Sequence, residues 1–263
     1  MKRSPCRVFL ISCLLCLPAT AQSIFDGTWK IDLDQSLPST TREEYLLKGG
    51  LYHCRTCDPP LEMKADGKDH KIGGEPCYDT VNLKVVDAHT TEETDKRNGK
   101  AVGTTRMTVS PDGTTATVEW TESCNAQGDV VSGKDAMARV APGPSGSHAV
   151  SGTWRITHRM NRSQNALYVT LKLESDTFSF ADPTGQNYAA KLDGTETPIN
   201  GDLGNTIVSV KQTDEHTIEE TDTRGGKVAE VTRFTVSTDG KTMTVLMEEK
   251  SKGNSRQFVL QKQ

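Results

Sequence analysis

The chain has 263 residues, with 31 Lys+Arg against 35 Asp+Glu and 34% hydrophobic residues; with a mean hydropathy of −0.55, this excludes a polytopic membrane protein. A net charge of −4 and the lack of any run of clustered Lys and Arg give no bulk attraction to phosphate backbones or anionic lipid, so nucleic acid is not an expected partner. Aromatic residues, at 5%, are sparse for one large dense core, and two modest domains fit better.

In chain order, Lys2, Arg3 and Arg7 precede an apolar run from Val8 to Leu17, which Pro18 interrupts before Ala19-Thr20-Ala21. That is the pattern of a secretory signal peptide over residues 1–21, too short to span a bilayer and ending in an Ala-x-Ala site. The expected location is therefore secreted or periplasmic, with no membrane span after cleavage. Removing Lys2, Arg3 and Arg7 leaves 28 Lys+Arg against 35 Asp+Glu, a net of −7. Beyond the leader, four of the seven cysteines remain: Cys54, Cys57, Cys77 and Cys124. An even number in an oxidising compartment favours disulfides. If successive strands alternate in direction, Cys77 before one strand and Cys124 after the strand three later fall at the same end of a sheet. This proposes Cys77 with Cys124 and leaves Cys54 with Cys57.

The chain is written twice. Gly27-Thr-Trp29 recurs as Gly152-Thr-Trp154, and His89 to Asp95, HTTEETD, returns as HTIEETD from His216 to Asp222. Arg106 and Arg233 match, as do Ser110-Pro-Asp-Gly113 and Ser237-Thr-Asp-Gly240. Between the copies lies Ala141-Pro-Gly-Pro-Ser-Gly-Ser147, whose composition suits a linker. The expected division is a first domain over 22–140, a linker over 141–150 and a second domain over 151–263.

Each copy reads as antiparallel β-structure. Val81, Leu83 and Val85 alternate with polar residues, as do Met107 with Val109, and Met243, Val245 and Met247. Threonine, 33 residues, suits the solvated face of half-buried strands. Hairpin turns are expected at Gly49-Gly50, Asn98-Gly99, Asp112-Gly113, Gly225-Gly226 and Asp239-Gly240. The segment Tyr45 to Cys54 is expected to form a hairpin in preference to extending a short helix over Thr40 to Leu47. Eight to ten strands per copy joined by short turns, with no crossover helices, predict an all-β chain of two tandem antiparallel up-and-down barrels.

The Gly-x-Trp that opens each copy, followed by a meander of hairpins, resembles the lipocalin-like (calycin) barrels, and the tandem arrangement resembles secreted bacterial proteins of that type. The resemblance spans Phe25 to Gln263, although the downstream Thr-Asp-Tyr motif of typical lipocalins is missing from both copies. It implies a structural role for Trp29 and Trp154, each closing a barrel floor beneath an Arg of the last strand. Arg139 and Arg256 are the candidates for that partner.

For function, the repeated Glu-Glu pair stands out. With Asn98-Gly99 as a two-residue turn, Thr91 opposes Arg106 and Glu93 lies diagonal to Arg106 on the outer face, leaving Glu92 facing inward. The second copy repeats this with Glu220, Arg233 and Glu219. Glu92, Glu219, Arg106 and Arg233 are thus the candidate ligand-binding residues: the glutamates at a cavity mouth, the arginines as anion holders if they point inward and as cross-strand ion pairs if they do not. The set Cys54, Cys57, His70 and Cys77 superficially resembles zinc spacing, but ready disulfide pairing argues against a metal. No hydrolase, metalloprotease, phosphate-loop or dinucleotide motif occurs, and no cofactor is expected. The leading expectation is an exported, non-catalytic binding protein for a small apolar or lipid-like ligand. The alternatives are an envelope module with filled barrels that binds another protein, and a metal or redox protein using the Cys54–Cys77 segment.

Overall fold

The structure, a computed structural model, describes residues 22–57, 60–73, 76–250 and 252–263. The expected signal peptide, residues 1–21, lies outside the described residues. Period-two burial makes the strands: in Leu61–Lys64 and Asn187–Lys191 every second residue is buried, and Val81 and Leu83 point in while Asn82 and Lys84 point out.

Strands β2 (Glu43–Lys48), β3 (Leu51–Cys54), β4 (Leu61–Lys64), β5 (Asp66–Lys71), β6 (Thr80–Val85), β7 (Thr90–Arg97), β8 (Lys100–Val109), β9 (Thr115–Glu122), β10 (Val131–Pro142) and β11 (Gly152–Arg162) build one ten-stranded antiparallel sheet. The other contains β1 (Gly27–Leu37), β12 (Tyr168–Glu174), β13 (Thr177–Ala181), β14 (Asn187–Lys191), β15 (Thr197–Pro198), β16 (Ile207–Asp214), β17 (Thr217–Arg224), β18 (Lys227–Val236), β19 (Thr242–Glu249) and β20 (Asn254–Lys262). Each curls into a nearly closed barrel. The hairpin expected over Tyr45 to Cys54 is present, with Tyr45 opposite Cys54 across Gly49-Gly50. Among the described residues no α-helix occurs, and no helix is long and apolar enough to cross a membrane.

The barrels do not coincide with the sequence repeats. β1 lies between β12 and β20, in the barrel of the second copy, and β11 lies between β2 and β10, in the barrel of the first. The opening strand of each copy thus closes the other. The division drawn from the repeat is corrected accordingly: the first barrel is the contiguous stretch 43–162, and the second is 23–37 joined to 168–263. The Pro/Gly/Ser stretch assigned as a linker is the turn of the β10–β11 hairpin, with Pro142 opposite Gly152 and Ser147 N–H donating to the Pro144 carbonyl at 3.1 Å. Val150 within it is a core residue of the first barrel. The chain crosses between barrels only at 38–42 and 163–167.

Two homologous interiors follow. Trp29 packs with Phe25, Leu171, Phe178 and Ile218, and Trp154 with Leu47, Val81, Val109 and Val150. Both indoles are fully buried, and each donates its N–H at 2.9 Å to the carbonyl four residues earlier, Phe25 and Val150. Where the barrels meet, Arg159 of β11 is 7% exposed, donates to the Leu37 carbonyl at 2.7 Å and stacks 4.6 Å from the Phe258 ring centroid. A cation so placed ties the end of β1 to the end of β11.

This topology makes a testable statement. A chain of residues 43–162 should fold cooperatively on its own with both disulfides formed. A chain of residues 168–263 should remain unfolded until a peptide of residues 23–37 is added, as followed by circular dichroism during peptide titration. Cooperative folding of 168–263 without the peptide would contradict the strand exchange.

Candidate functional site

The repeated HTxEETD motif supplies the charged interior of both barrels, through a register that the turn alone does not specify. Asn98 and Gly99 both take positive φ, 51° and 77°, as a two-residue hairpin turn requires, and Arg97 opposes Lys100. A bulge then leaves Val102 extra, so that Asp95 opposes Gly103, Glu93 opposes Thr105 and Glu92 opposes Arg106. The second copy carries the same bulge, with Ala229 extra, and pairs Glu219 with Arg233 and Asp222 with Glu230. One inserted residue reverses the faces assigned downstream of it.

The sequence-derived ligand residues are therefore corrected. Glu92 pairs with Arg106 on the outer face, as Glu219 does with Arg233 at 2.9 Å. Arg233 also reaches Glu248 at 3.1 Å. The arginines form cross-strand ion pairs, the blander of the two readings, and the glutamates they engage are those expected to point inward. What faces inward is Glu93 with Asp95 and Glu220 with Asp222.

The floor partners are also reassigned. Arg139 stacks on an indole, 4.0 Å from the ring centroid, but the ring is that of Trp154 from the other copy. Lys262, not Arg256, lies over Trp29, at 5.2 Å. Arg256 instead pairs with Glu230 at 2.8 Å. The disulfides join Cys54 to Cys57 and Cys77 to Cys124. The zinc-like set is not assembled: its cysteines are bonded, and His70 pairs with Asp66 at 2.8 Å. Among the described residues the one close group of metal-type ligand atoms is Cys77, Glu122 and Cys124, and its two sulfurs are joined to each other.

The two interiors differ in how they are filled. In the first barrel Trp120 of β9 faces inward above Gly133 of β10, where any Cβ would collide with the indole. The Trp120 N–H donates to Asp135 at 3.0 Å, and Arg162 pairs with Asp135 at 2.7 Å while lying 5.0 Å from the Trp120 centroid. A ring, a carboxylate and a guanidinium thus fill the interior at the end of that barrel away from Trp154. What remains is a pocket of about 280 Å³ at the mouth, beside the Cys77–Cys124 bond, lined by Asp95, Trp120 and Glu122. In the second barrel the repeat places Met247 where Trp120 stands and Phe258 where Asp135 stands. The interior there holds a cavity of about 300 Å³ walled by Ile31, Val169, Phe180, Phe234, Val245 and Leu260. Tyr188, Glu220 and Asp222 face into the same space.

Burial raises the Glu93 carboxyl to about 8, helped by the charge of Asp95, and raises Asp95 to about 6, helped by Glu122. In the second barrel burial pushes both Glu220 and Asp222 up, with Asp222 acting on the first and Glu230 on the second. The Tyr188 hydroxyl, itself raised by burial and by Glu220, donates to the Glu220 carboxylate. One carboxylate oxygen of Asp95 and the equivalent oxygen of Asp222 are buried without a hydrogen-bond partner. Carboxyls kept protonated near neutrality can donate as well as accept, so the paired acids present a site of adjustable charge.

No known family model matches the chain, and no curated protein matches it.

A carboxyl held above its unfolded value keeps a proton that the unfolded chain has released, so stability falls as pH rises between the two values. For Glu93 that window runs from 4.5 to about 8. Glu93→Gln should therefore flatten the decline, raising stability at pH 8.5 by on the order of 1 kcal/mol while changing it little at pH 4.5. Thermal unfolding of both proteins across this range checks it, and an unchanged slope in the variant would contradict the burial of the group.

Proposed function

We propose that this chain is an exported, non-catalytic binding protein of lipocalin-like (calycin) type, with the second barrel as its ligand-holding unit. The leader-like residues 1–21 and the two disulfides support an oxidising extracytoplasmic location. The observation that carries the binding reading is the contrast between the interiors. One barrel is plugged by Trp120 and the Asp135–Arg162 pair, while the other keeps an apolar-walled cavity of about 300 Å³. Barrels of this size either fill with side chains or hold one small ligand, and this chain does one of each. Cavity walls that are mainly aliphatic and aromatic, with a few convergent polar groups, are the usual make-up of a small-molecule site.

The filled barrel favours a second role within the same protein. With Trp120, Asp135 and Arg162 occupying its interior, the first barrel serves as a scaffold whose surface is available to a protein partner in the envelope.

Titration with the small neutral apolar fluorophore naphthalene should show saturable binding with one site per chain. Met247→Trp, which puts an indole into the cavity wall, should weaken that binding at least tenfold while cooperative thermal unfolding is retained. Binding that is absent in the parent, or unaltered in Met247→Trp, would defeat the proposal.

A further inference from the structure

The polar end of the second cavity carries a charge imbalance that names a ligand class. Glu220 and Asp222 follow each other on the inward face of β17, about 7 Å apart along the strand, and Glu220 is only 8% exposed. Arg224 lines the cavity and acts on Asp222 at a distance, but no cation nearby makes a direct ion pair with either acid among the described residues. Arg256 on β20 pairs with Glu230 at 2.8 Å, and Arg224 turns its guanidinium to the Thr206 hydroxyl at 2.7 Å and towards Asp202 at 4.0 Å. Lys262 lies over Trp29 at the floor. Among the described residues neither Glu220 nor Asp222 has an ion-pair partner. The Tyr188 hydroxyl on β14 donates to Glu220, the Glu220 and Asp222 carboxyls lie within hydrogen-bond reach of each other, and one oxygen of Asp222 is buried without a partner.

We infer that the ligand of this cavity is a small primary alkylamine, its ammonium group against the Glu220–Asp222 carboxyl pair and its hydrocarbon body against Phe180, Phe234 and Val245. The inference rests on the binding role proposed for this barrel and adds the chemistry of the head group. An ammonium carries three donors and one positive charge, which supplies both the donor that one Asp222 oxygen lacks and a counter-charge for the negative charge the pair gains as it loses protons. A buried charge without a partner is costly, and an incoming counter-charge relieves that cost. An alkyl carboxylate would add a third negative charge to the same end, and an alcohol offers one donor and no charge. The volume sets the size: about 300 Å³ corresponds to on the order of ten non-hydrogen atoms at the ~30 Å³ that each water occupies in the liquid.

Protonation tunes the site. The groups facing the two acids are Tyr188, Glu230, Arg224, Arg256 and Asp202; against the upward push of burial, the Tyr188 hydrogen bond lowers Glu220, and Arg224 together with the hydrogen bond from Glu220 lowers Asp222. Acidification fills both carboxyls with protons and removes the charge that holds the amine, so amine affinity falls as pH drops while that of a neutral analogue stays level.

The test is isothermal titration of the full chain with octylamine, octanol and octanoate at pH 5 and pH 8. At pH 8 octylamine should bind at least tenfold more tightly than octanol, with octanoate weakest, and the preference should shrink at least threefold at pH 5. In the double variant Glu220→Gln/Asp222→Asn, octylamine should fall to the affinity of octanol while octanol is unchanged; retained octanol and fluorophore binding shows that this variant is folded. Octanol or octanoate binding as tightly as octylamine, with the fluorophore still bound, would overturn the amine assignment and leave the cavity reading intact. Failure of all three ligands and of the fluorophore would remove the binding role itself.

Discussion

The structure depends on one constraint: a sheet can curl into a barrel only when every gap between its interior strands is filled by a strand with hydrogen bonds on both sides. In each barrel the strand that fills one such gap carries Gly-Thr-Trp and comes from the other copy. β1 is held by β12 and β20, β11 by β2 and β10, and the indole of each is clamped between a basic side chain and a carbonyl of its own approach segment. Neither half of the sequence is complete without the opening strand of the other.

Within that frame, small differences between copies separate their interiors. The inward positions of β9 and β19 are related by the repeat, so exchanging an indole for a thioether at one of them, Trp120 against Met247, alters what the interior can contain. The indole requires Gly133 beneath it and a hydrogen-bond acceptor, which Asp135 provides, and Asp135 in turn requires Arg162. A buried carboxylate and guanidinium hold each other in place because neither is stable there alone. Met247 and Phe258 impose no such chain of needs, and open space remains. The two barrels thereby differ in their interiors, one occupied by Trp120, Asp135 and Arg162 and the other keeping a cavity.

Much of this was legible in the sequence. The duplicated motifs, the period of two, the glycine turns and the cysteine spacing sufficed for two antiparallel barrels and for the bonds between Cys54 and Cys57 and between Cys77 and Cys124. The exchange of β1 and β11 was not legible, because both strands begin with the same Gly-Thr-Trp and either could pair with either gap as far as pattern shows. The inward acids were hidden by a bulge whose extra residues, Val102 and Ala229, carry no mark of irregularity. Adjacent glutamates look alike until the register is known, so Glu92 and Glu219 were read as facing inward in place of Glu93 and Glu220. Arg256 was matched to the floor by residue type, whereas the position opposite Trp29 belongs to Lys262, six residues further on.

The placement of β1 also fixes an order of events during synthesis. The groove between β2 and β10 exists as soon as residue 142 is made, and at that moment the only Gly-Thr-Trp strand in the chain is β1. Its own destination does not exist until β20, the final strand, has emerged. The growing chain must therefore keep an amphipathic segment waiting through the manufacture of an entire barrel, and the nine residues between Pro142 and Gly152 give β11 the advantage of nearness in reaching the gap first.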